Sequence, residues 1–196
     1  MGHLHVGQDQ VEARVLAPGG RIQGIGLDDR GALGEPQAQD KLIYARPERP
    51  EQGFSAEVSS DGKTLVVSVW KGTDPRYEVV LIDIEHFAAA PVEIVSGFKH
   101  DYTYIATAGG RHFFFTDDGA PKGKGVATPA RLQAPVWSEI VPESEHVLSE
   151  ASIVGGRLFA NYMEDVKSAV RMLALDGSPL GEVALPGIGT ASSRRM

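Results

Sequence analysis

The stretch Tyr102 to Thr116, YTYIATAGGRHFFFT, decides the fold of this chain. Two runs rich in Thr, Tyr, Phe and Ile, which are residue types common in strands, lie on either side of a Gly-Gly-Arg sequence. A two-residue hairpin loop requires positive φ angles, and glycine adopts these angles without steric cost. The stretch therefore predicts two antiparallel strands, at 102–107 and 112–116, joined by a tight turn.

The same arrangement recurs along the chain at a spacing of about 47 residues. A glycine followed by a basic residue separates two strand-like runs at Asp61-Gly62-Lys63, Gly109-Gly110-Arg111 and Gly155-Gly156-Arg157. The glycines Gly62, Gly110 and Gly156 are 48 and then 46 residues apart. The first runs cover 56–59, 102–107 and 148–154, and the second runs cover 65–70, 112–116 and 158–162. We therefore expect three tight hairpins of the same kind.

Each hairpin is followed by two further strand-like runs. The third runs cover 79–84, 125–128 and 169–175, and the fourth runs cover 92–95, 137–141 and 181–185. Four antiparallel strands in about 40 to 50 residues is the period of a β-propeller blade, whereas an immunoglobulin-type sandwich needs no such repeat. The predicted fold class is all-β, a partial β-propeller of about three four-stranded antiparallel blades at about 54–97, 102–143 and 148–187. Because closed propellers have about four to eight blades, we expect an open arc.

The N-terminal segment has a different composition. All fourteen aromatic residues lie at Tyr44 or later, and the first 40 residues hold eight glycines and no lysine. Turn sequences such as Ala17-Pro18-Gly19-Gly20 leave only short apolar runs, so the segment has little surface to bury. We expect loops or weak edge strands over 1–40 rather than a further blade, blades over 41–187 and a tail over 188–196.

Composition and charge exclude several classes of function. The 196 residues are 42% hydrophobic and 23% charged, as in a soluble globular domain. A net charge of −7 without a Lys or Arg cluster argues against a nucleic-acid partner. No apolar run approaches the roughly 18 residues that span a membrane. There is no basic or apolar leader, so we expect a cytoplasmic protein, or a periplasmic one if a leader has been lost.

No catalytic or cofactor site is evident. The chain has no cysteine, so it has no thiol nucleophile, and none of its six histidines adjoins a serine in a catalytic motif. Gly177-Ser178-Pro179-Leu180-Gly181 differs from the G-x-S-x-G nucleophile motif in the position of its serine, and we interpret it as a turn. His3 and His5 lack a third metal ligand. We expect no catalytic residue, no bound cofactor and no metal.

Two carboxylate pairs follow the second strands of successive repeats. They are Asp117-Asp118 and Glu164-Asp165. Paired carboxylates can bind a cation or act as acid and base, but aspartate is also favoured by turn chemistry alone. We interpret both pairs as solvated loop residues.

Short phrases at the loops of the repeats carry a resemblance to a known family. They are Asp40-Lys41-Leu42-Ile43-Tyr44 leading into Pro47, Ser59-Ser60-Asp61-Gly62-Lys63, Gly72-Thr73-Asp74-Pro75, Tyr102-Thr103-Tyr104, Phe113-Phe114-Phe115-Thr116, Ala120-Pro121-Lys122-Gly123, Trp137, Ile140-Val141-Pro142-Glu143 and Tyr162-Met163-Glu164-Asp165-Val166-Lys167. In order and spacing, this set resembles the propeller domain of the prolyl oligopeptidase family of serine peptidases. The resemblance covers about residues 34–190, and residues 1 to about 33 do not match.

The resemblance implies a role without chemistry of its own. In the family, a propeller covers an α/β-hydrolase domain that carries the Ser, Asp and His triad, and it restricts access to short peptides. By resemblance this chain is a fragment of such a propeller from a proline-specific serine endopeptidase, and its partners are short peptides or a hydrolase domain.

The resemblance also marks an interdomain or gating surface, formed by the loops after the second strands. The candidates are Trp70, Thr73, Asp74, Asp117, Asp118, Tyr162, Glu164 and Asp165. Two alternatives stay open. Trp70 and Tyr162 also fit the interpretation that they pack between neighbouring blades as ordinary core residues. The chain as a whole also fits a stand-alone binding module for a peptide or protein partner. Because an open arc exposes strand edges, we also expect self-association.

Overall fold

The computed structural model describes residues 12–16, 21–25, 41–86, 89–131, 134–165 and 167–185, with side chains from residue 43 onward. The chain divides into two compact units, Met1–Lys99 and His100–Met196. All the secondary-structure elements assigned in the described ranges are β-strands. Within those ranges no helix has the length and apolarity to cross a membrane. The predicted tail at 188–196 and the pair His3 and His5 lie outside the described residues.

The first unit begins with a three-stranded antiparallel sheet. Its strands are β1 (Glu12–Leu16), β2 (Arg21–Ile25) and β3 (Lys41–Ala45), in the order β1-β2-β3. Composition favoured loops or weak edge strands over 1–40, yet β2 is a central strand that pairs on both sides. Its partner β3 lies outside that segment, and local composition does not reveal such a distant pairing.

The first four-stranded sheet follows in the same unit. It consists of β4 (Gln52–Val58), β5 (Thr64–Lys71), β6 (Glu78–Asp83) and β7 (Val92–Val95), in sequence order and antiparallel. One buried cluster contains Phe54, Leu65, Val67, Val69, Val80, Ile82 and Ile84. The sheet is thus stabilised mainly by the central strands β5 and β6, most of whose side chains are buried.

The first hairpin differs from the prediction. Val58 pairs with Leu65 and the Ser59 N–H donates to the Thr64 carbonyl at 2.8 Å, so the loop has four residues, 60–63, instead of two. The Asp61 carboxylate accepts hydrogen bonds from the Ser59 hydroxyl at 2.6 Å and from the Lys63 N–H at 3.2 Å. These side-chain bonds shape the longer loop, and the prediction of a two-residue turn here was wrong.

The second unit contains two four-stranded antiparallel sheets. One consists of β8 (Tyr102–Ala108), β9 (Arg111–Thr116), β10 (Lys124–Pro129) and β11 (Ser138–Val141). The other consists of β12 (Val147–Val154), β13 (Arg157–Glu164), β14 (Lys167–Leu173) and β15 (Pro179–Val183). Both follow sequence order, so the predicted three four-stranded sheets are confirmed. Both hairpins have two-residue loops, Gly109-Gly110 and Gly155-Gly156, with φ between 54° and 73°.

The two sheets of the second unit stack face to face. Their shared core contains Ile105, Phe113, Ala127, Ile140, Val141, Leu148, Leu158, Ala160 and Tyr162. At one end, Arg111 Nη2 donates to the Leu175 carbonyl at 2.6 Å. At the other end, the Leu148 N–H donates to the Lys122 carbonyl at 2.8 Å. The first strands β8 and β12 also contact each other, as neighbouring blades of a propeller do.

Candidate functional site

The loop after the second strand and the residues before the first strand lie at one end of each four-stranded sheet. This follows from the antiparallel register, in which Gln52 pairs with Lys71, Tyr102 with Thr116 and Val147 with Met163. We call this the loop end of each sheet. All eight candidate residues lie at or next to the loop end of their own sheet.

An open groove with a volume of about 610 Å³ lies at the loop end of β4–β7. Its lining consists of Ser55, Trp70, Gly72, Thr73, Asp74, Pro75 and Tyr77. Trp70 and Tyr77 are half-buried, so each ring presents part of its surface to the groove. The structure therefore brings the candidates Trp70, Thr73 and Asp74 together around one concave surface.

The glycine opposite Trp70 explains where the indole lies. Gly53 is the cross-strand partner of Trp70, and a Cβ atom added to Gly53 would overlap Cε2 of Trp70. The indole therefore packs directly on the backbone of β4. This close packing and the half-exposed ring together show that Trp70 is both a packing residue and a lining residue of the groove.

Asp74 shapes the loop that closes one side of the groove. Its carboxylate accepts hydrogen bonds from the Arg76 N–H at 3.0 Å and from Arg76 Nε at 2.7 Å, and it also pairs with Arg76 Nη2. The side-chain hydrogen bond from Arg76 lowers the pKa of Asp74 to about 2. Asp74 is thus an anion at any ordinary pH, and its charge is matched by a neighbouring guanidinium.

Asp117 and Asp118 are held by the residues before β8. His100 Nδ1 lies 3.2 Å from Asp117 Oδ1, and His100 Nε2 lies 3.3 Å from Asp118 Oδ1. The Asp101 N–H donates to Asp117 at 3.0 Å, and the Tyr102 hydroxyl donates to Asp118 at 3.0 Å. Burial, together with the hydrogen bond to Asp118, raises the pKa of Tyr102 to about 12. Both aspartates lie in the loop after β9 with about half of each side chain exposed, at 45% and 50%, and both accept hydrogen bonds from residues at the start of β8.

Tyr162 occupies the core of the second unit. The residue is 3% exposed, and the Arg171 guanidinium lies over its ring at 4.4 Å from the centroid. It packs between the two sheets, which is the alternative that the sequence left open. Its neighbour Glu164 accepts a hydrogen bond from Arg171 at 2.9 Å, and Asp165 has a φ of 46° in the turn after β13. Of the three candidates in this sheet, Glu164 and Asp165 are therefore the ones whose side chains lie outside the core.

A network around Arg46 was not predicted from the sequence. The guanidinium donates to Glu78 at 2.5 Å, to Glu93 at 2.6 Å and to the Tyr44 hydroxyl at 2.6 Å. The second oxygen of Glu78 accepts the Gly97 N–H at 2.7 Å. No motif marks these residues, since Arg46 and Glu93 are 47 residues apart. The network connects the end of β3 with β6 and β7.

Gly177 and Ser178 lie in the turn between β14 and β15, as expected, whereas Pro179 to Gly181 already belong to β15. The Ala174 N–H donates to the Ser178 carbonyl at 2.8 Å, the Gly177 N–H donates to the Ala174 carbonyl at 3.0 Å, and β15 begins at Pro179. The Ser178 N–H donates to the Asp176 carboxylate at 2.9 Å. No three His, Asp or Glu side chains converge as metal ligands within the described part of the chain.

Comparison with known proteins places this architecture in a family. Residues 30–196 match the family model described as prolyl oligopeptidase, N-terminal beta-propeller domain. The prolyl endopeptidase of Elizabethkingia miricola is 31% identical over 160 residues, a region covering 81% of this chain and 22% of that protein. The prolyl endopeptidase of Dictyostelium discoideum is 26% identical over 170 residues, covering 78% and 22%.

Solved structures agree with the sequence relatives. A chain from a structural and mechanistic study of two prolyl endopeptidases has a TM-score of 0.85 and 34% identity, and the match covers 98% of this chain and 28% of that one. Prolyl oligopeptidase B from Galerina marginata shares the fold, with a TM-score of 0.76 and 22% identity. The chain thus spans about a fifth to a quarter of the length of its relatives. It belongs to the prolyl oligopeptidase family and forms part of that family's N-terminal β-propeller domain.

Proposed function

We propose that this chain forms part of a propeller that restricts a proline-specific serine endopeptidase to short peptides by covering its hydrolase domain. The observation that carries the proposal is the match of residues 30–196 to the family's N-terminal propeller domain. The chain spans only 22% of the length of the Elizabethkingia miricola relative. In this proposal, the peptidase activity belongs to the whole enzyme, and the described segment contributes access control alone.

The groove at Trp70 supports a contact with peptide. Aromatic rings form platforms on which extended, proline-containing segments pack, and the hydroxyls of Ser55 and Thr73 offer hydrogen bonds to a peptide backbone. The paired Asp74 and Arg76 leave little net charge beside the groove. We therefore assign the groove to the passage of uncharged, proline-containing peptides.

The loop ends in the second unit support a contact with the hydrolase domain. Asp117 and Asp118 are fixed by hydrogen bonds instead of moving freely, and Glu164 is fixed by Arg171. Side chains held in place lose little entropy when they meet a partner surface. We assign these residues, with Asp165, to the interdomain surface.

The first test is an assay of the isolated chain with a chromogenic peptide that has proline before its leaving group. We expect no hydrolysis, because the proposal places the nucleophilic serine outside these residues. Robust turnover that is blocked by a serine-directed inhibitor would show that the chain carries its own active site, and the proposal would fail.

The second test replaces the corresponding segment of the Elizabethkingia miricola enzyme by residues 30–196 of this chain. The hybrid enzyme should cleave short proline-containing peptides and exclude a long unstructured polypeptide. Trp70→Ala in the hybrid should raise the rate on the long substrate relative to the short one, because it widens the groove. Arg49→Ala, an exposed residue outside the groove, is the matched control and should leave that ratio unchanged.

The groove also supports a second candidate function, that of a stand-alone binding module. It lies open within the first unit, so its peptide contacts need no other domain. Calorimetric titration of the isolated chain with a proline-rich peptide tests this alternative, together with light scattering. Peptide binding by a discrete closed oligomer would favour the stand-alone module. A monomer or an aggregate without measurable binding would favour the proposal that the chain is part of a larger enzyme.

A further inference from the structure

The sheet β12–β15 has one face turned away from the core that it shares with β8–β11. Phe159 and Met172 are cross-strand partners on this face, and both are half-buried. The core residues Leu158 and Ala160 alternate with Phe159 along β13, so their side chains point to the opposite face. Met172 therefore lies at the surface of the second unit, where a small solute can reach part of its side chain.

An arginine donates a hydrogen bond to the sulfur of Met172. Arg157 Nη1 lies 3.7 Å from Met172 Sδ. Arg157 begins β13 two residues before Phe159, so it projects from the same face as Phe159 and lies diagonal to Met172. Arg157 is exposed, and its guanidinium stays charged at any ordinary pH. Because a thioether is a weak acceptor, this permanent cation lies beside a sulfur that accepts its hydrogen bond only weakly.

The neighbour of Met172 on the edge strand leaves space around it. Met172 pairs with Gly181 in β15, and a Cβ atom added to Gly181 would have no atom within 4 Å. Gly181 has no side chain that could cover the methionine. A molecule of the size of water or hydrogen peroxide can therefore approach Met172 from the side of β15, while Arg157 lies on the side of β13.

Oxidation of a thioether by hydrogen peroxide turns the sulfur into a strong hydrogen-bonding site. The sulfur lone pair attacks one peroxide oxygen, so that an S–O bond forms and the O–O bond breaks. The proton on the transferred oxygen passes to the departing hydroxide, which leaves as water. Methionine loses two electrons, peroxide gains them, and the product is methionine sulfoxide. Negative charge develops on the peroxide oxygens and remains in part on the sulfoxide oxygen, so a hydrogen bond from Arg157 stabilises both.

Met163 provides an internal comparison. It lies on the same face as Phe159, four residues further along β13, and it is also half-buried. Its cross-strand partners are Val147 and Ser168, neither of which is a cation. The two methionines thus share a sheet face and a similar degree of burial, and they differ in the charged donor at the sulfur of Met172.

We propose that Met172 is a reversible oxidation site for hydrogen peroxide, at which Arg157 donates a hydrogen bond to the oxygen that the sulfur receives. The sulfoxide is polar and chiral, and separate methionine sulfoxide reductases reduce its two epimers. Because Arg157 lies on one side of the sulfur, we expect one epimer to form in excess at Met172. Oxidation places a polar group beside Phe159 on this sheet face. The modification does not depend on the peptidase role of the whole enzyme.

Treatment of the folded chain with a limiting amount of hydrogen peroxide tests the site. Mass spectrometry of proteolytic peptides gives the rates of sulfoxide formation at Met172 and Met163, and treatment with each stereospecific reductase gives the epimer ratio. In the unmodified chain we expect unequal epimers at Met172 and nearly equal epimers at Met163. Arg157→Gln should lower the ratio of the Met172 rate to the Met163 rate by about three- to tenfold, the size expected for one hydrogen bond from a charged donor. It should also bring the Met172 epimers close to equality.

Lys167→Gln is the matched control, because it removes the same charge from an exposed position that pairs with Glu164 at the other end of β13 and β14. It should leave both the rate ratio and the epimer ratio unchanged. Equal epimers at Met172 in the unmodified chain, or a rate ratio that Arg157→Gln does not lower, would mean that oxidation follows exposure alone and would overturn the proposal. An equal fall in Lys167→Gln would assign the effect to net charge, with the same result.

Discussion

At the scale of single residues, Arg46 connects three strands of the first unit. It follows β3 and donates to Glu78 at the start of β6 and to Glu93 in β7. Glu78 is only 7% exposed, so its charge depends on this partner more than on water. Removing one member of a buried ion pair leaves the other without compensation, which costs more than the pair contributes.

Arg46→Ala should therefore lower the free energy of unfolding by about 2–4 kcal/mol. Urea denaturation followed by circular dichroism measures this change. Arg49→Ala is the matched control, because Arg49 is exposed and its described hydrogen bonds come from its backbone. It should cost less than about 0.5 kcal/mol. Equal losses in the two variants would contradict the role of the Arg46 network.

Gly53 is a second residue on which the packing of the first unit depends, because Trp70 lies directly on its backbone. A Cβ at this position would overlap Trp70, so Gly53→Ala should displace the indole into the groove. We expect a loss of about 1–3 kcal/mol from overpacking and a shift in tryptophan emission. In a Trp70→Leu background, the same substitution should cost much less, and this double-mutant cycle isolates the contact. An equal loss of stability in both backgrounds would show that Gly53 and Trp70 do not interact in this way.

At the scale of elements, the turn before β15 carries a contact between the sheets of the second unit. Gly177 has a φ of 91°, and a Cβ added there would overlap the Ile140 carbonyl oxygen in β11. Gly156 has a similar positive φ of 73°, but a Cβ added to it would have no atom within 4 Å on the open side of the hairpin. Substitution of Gly156 therefore introduces backbone strain alone, whereas substitution of Gly177 introduces backbone strain and a steric overlap.

Gly156→Ala should cost about 1–2 kcal/mol, because an L-residue at positive φ is strained. Gly177→Ala should cost about 2 kcal/mol more, because the new methyl group also pushes the turn away from β11. Thermal unfolding of both variants tests the contact, and the quantity compared is the loss of stability of Gly177→Ala relative to that of Gly156→Ala. Equal costs would mean that the turn moves freely and that the contact is unimportant.

The turn chemistry also explains how much of the fold the sequence reveals. Gly109-Gly110 and Gly155-Gly156 require positive φ, so their hairpins and the repeat period could be predicted from local residues. The β1–β3 sheet could not, because β2 depends on a partner outside the Gly-rich segment. The close approach of His100 to Asp117 could not be predicted for a related reason. It exists only because Tyr102 pairs with Thr116, and a register of this kind is a property of the folded sheet.

At the scale of the whole molecule, the second unit leaves one sheet face partly open. Phe159, Met172 and Val170 alternate with the core residues of β13 and β14, and all three are half-buried. Val183, which pairs with Val170, is 37% exposed on the edge strand β15. Apolar faces and unpaired strand edges promote association.

We expect the isolated chain to self-associate as its concentration rises, and Met172→Glu should weaken this association by placing a charge on the open face. Sedimentation velocity measures the effect. Val136→Glu is the matched control, because Val136 is 58% exposed but precedes β11 in the other sheet. A chain that stays monomeric at high concentration, or equal effects of the two substitutions, would argue against this surface.

The paired glycines of the two-residue turns have a further consequence, which concerns chirality. Gly110 and Gly156 have φ values of 72° and 73°, in a region that L-amino acids avoid and D-amino acids prefer. A chain assembled by peptide ligation with D-alanine at either position should therefore fold in the same way. It should also be more stable by about 0.4–1 kcal/mol, because the unfolded chain loses freedom while the turn does not change. We therefore expect these two positions to accommodate D-amino acids without a change of backbone conformation.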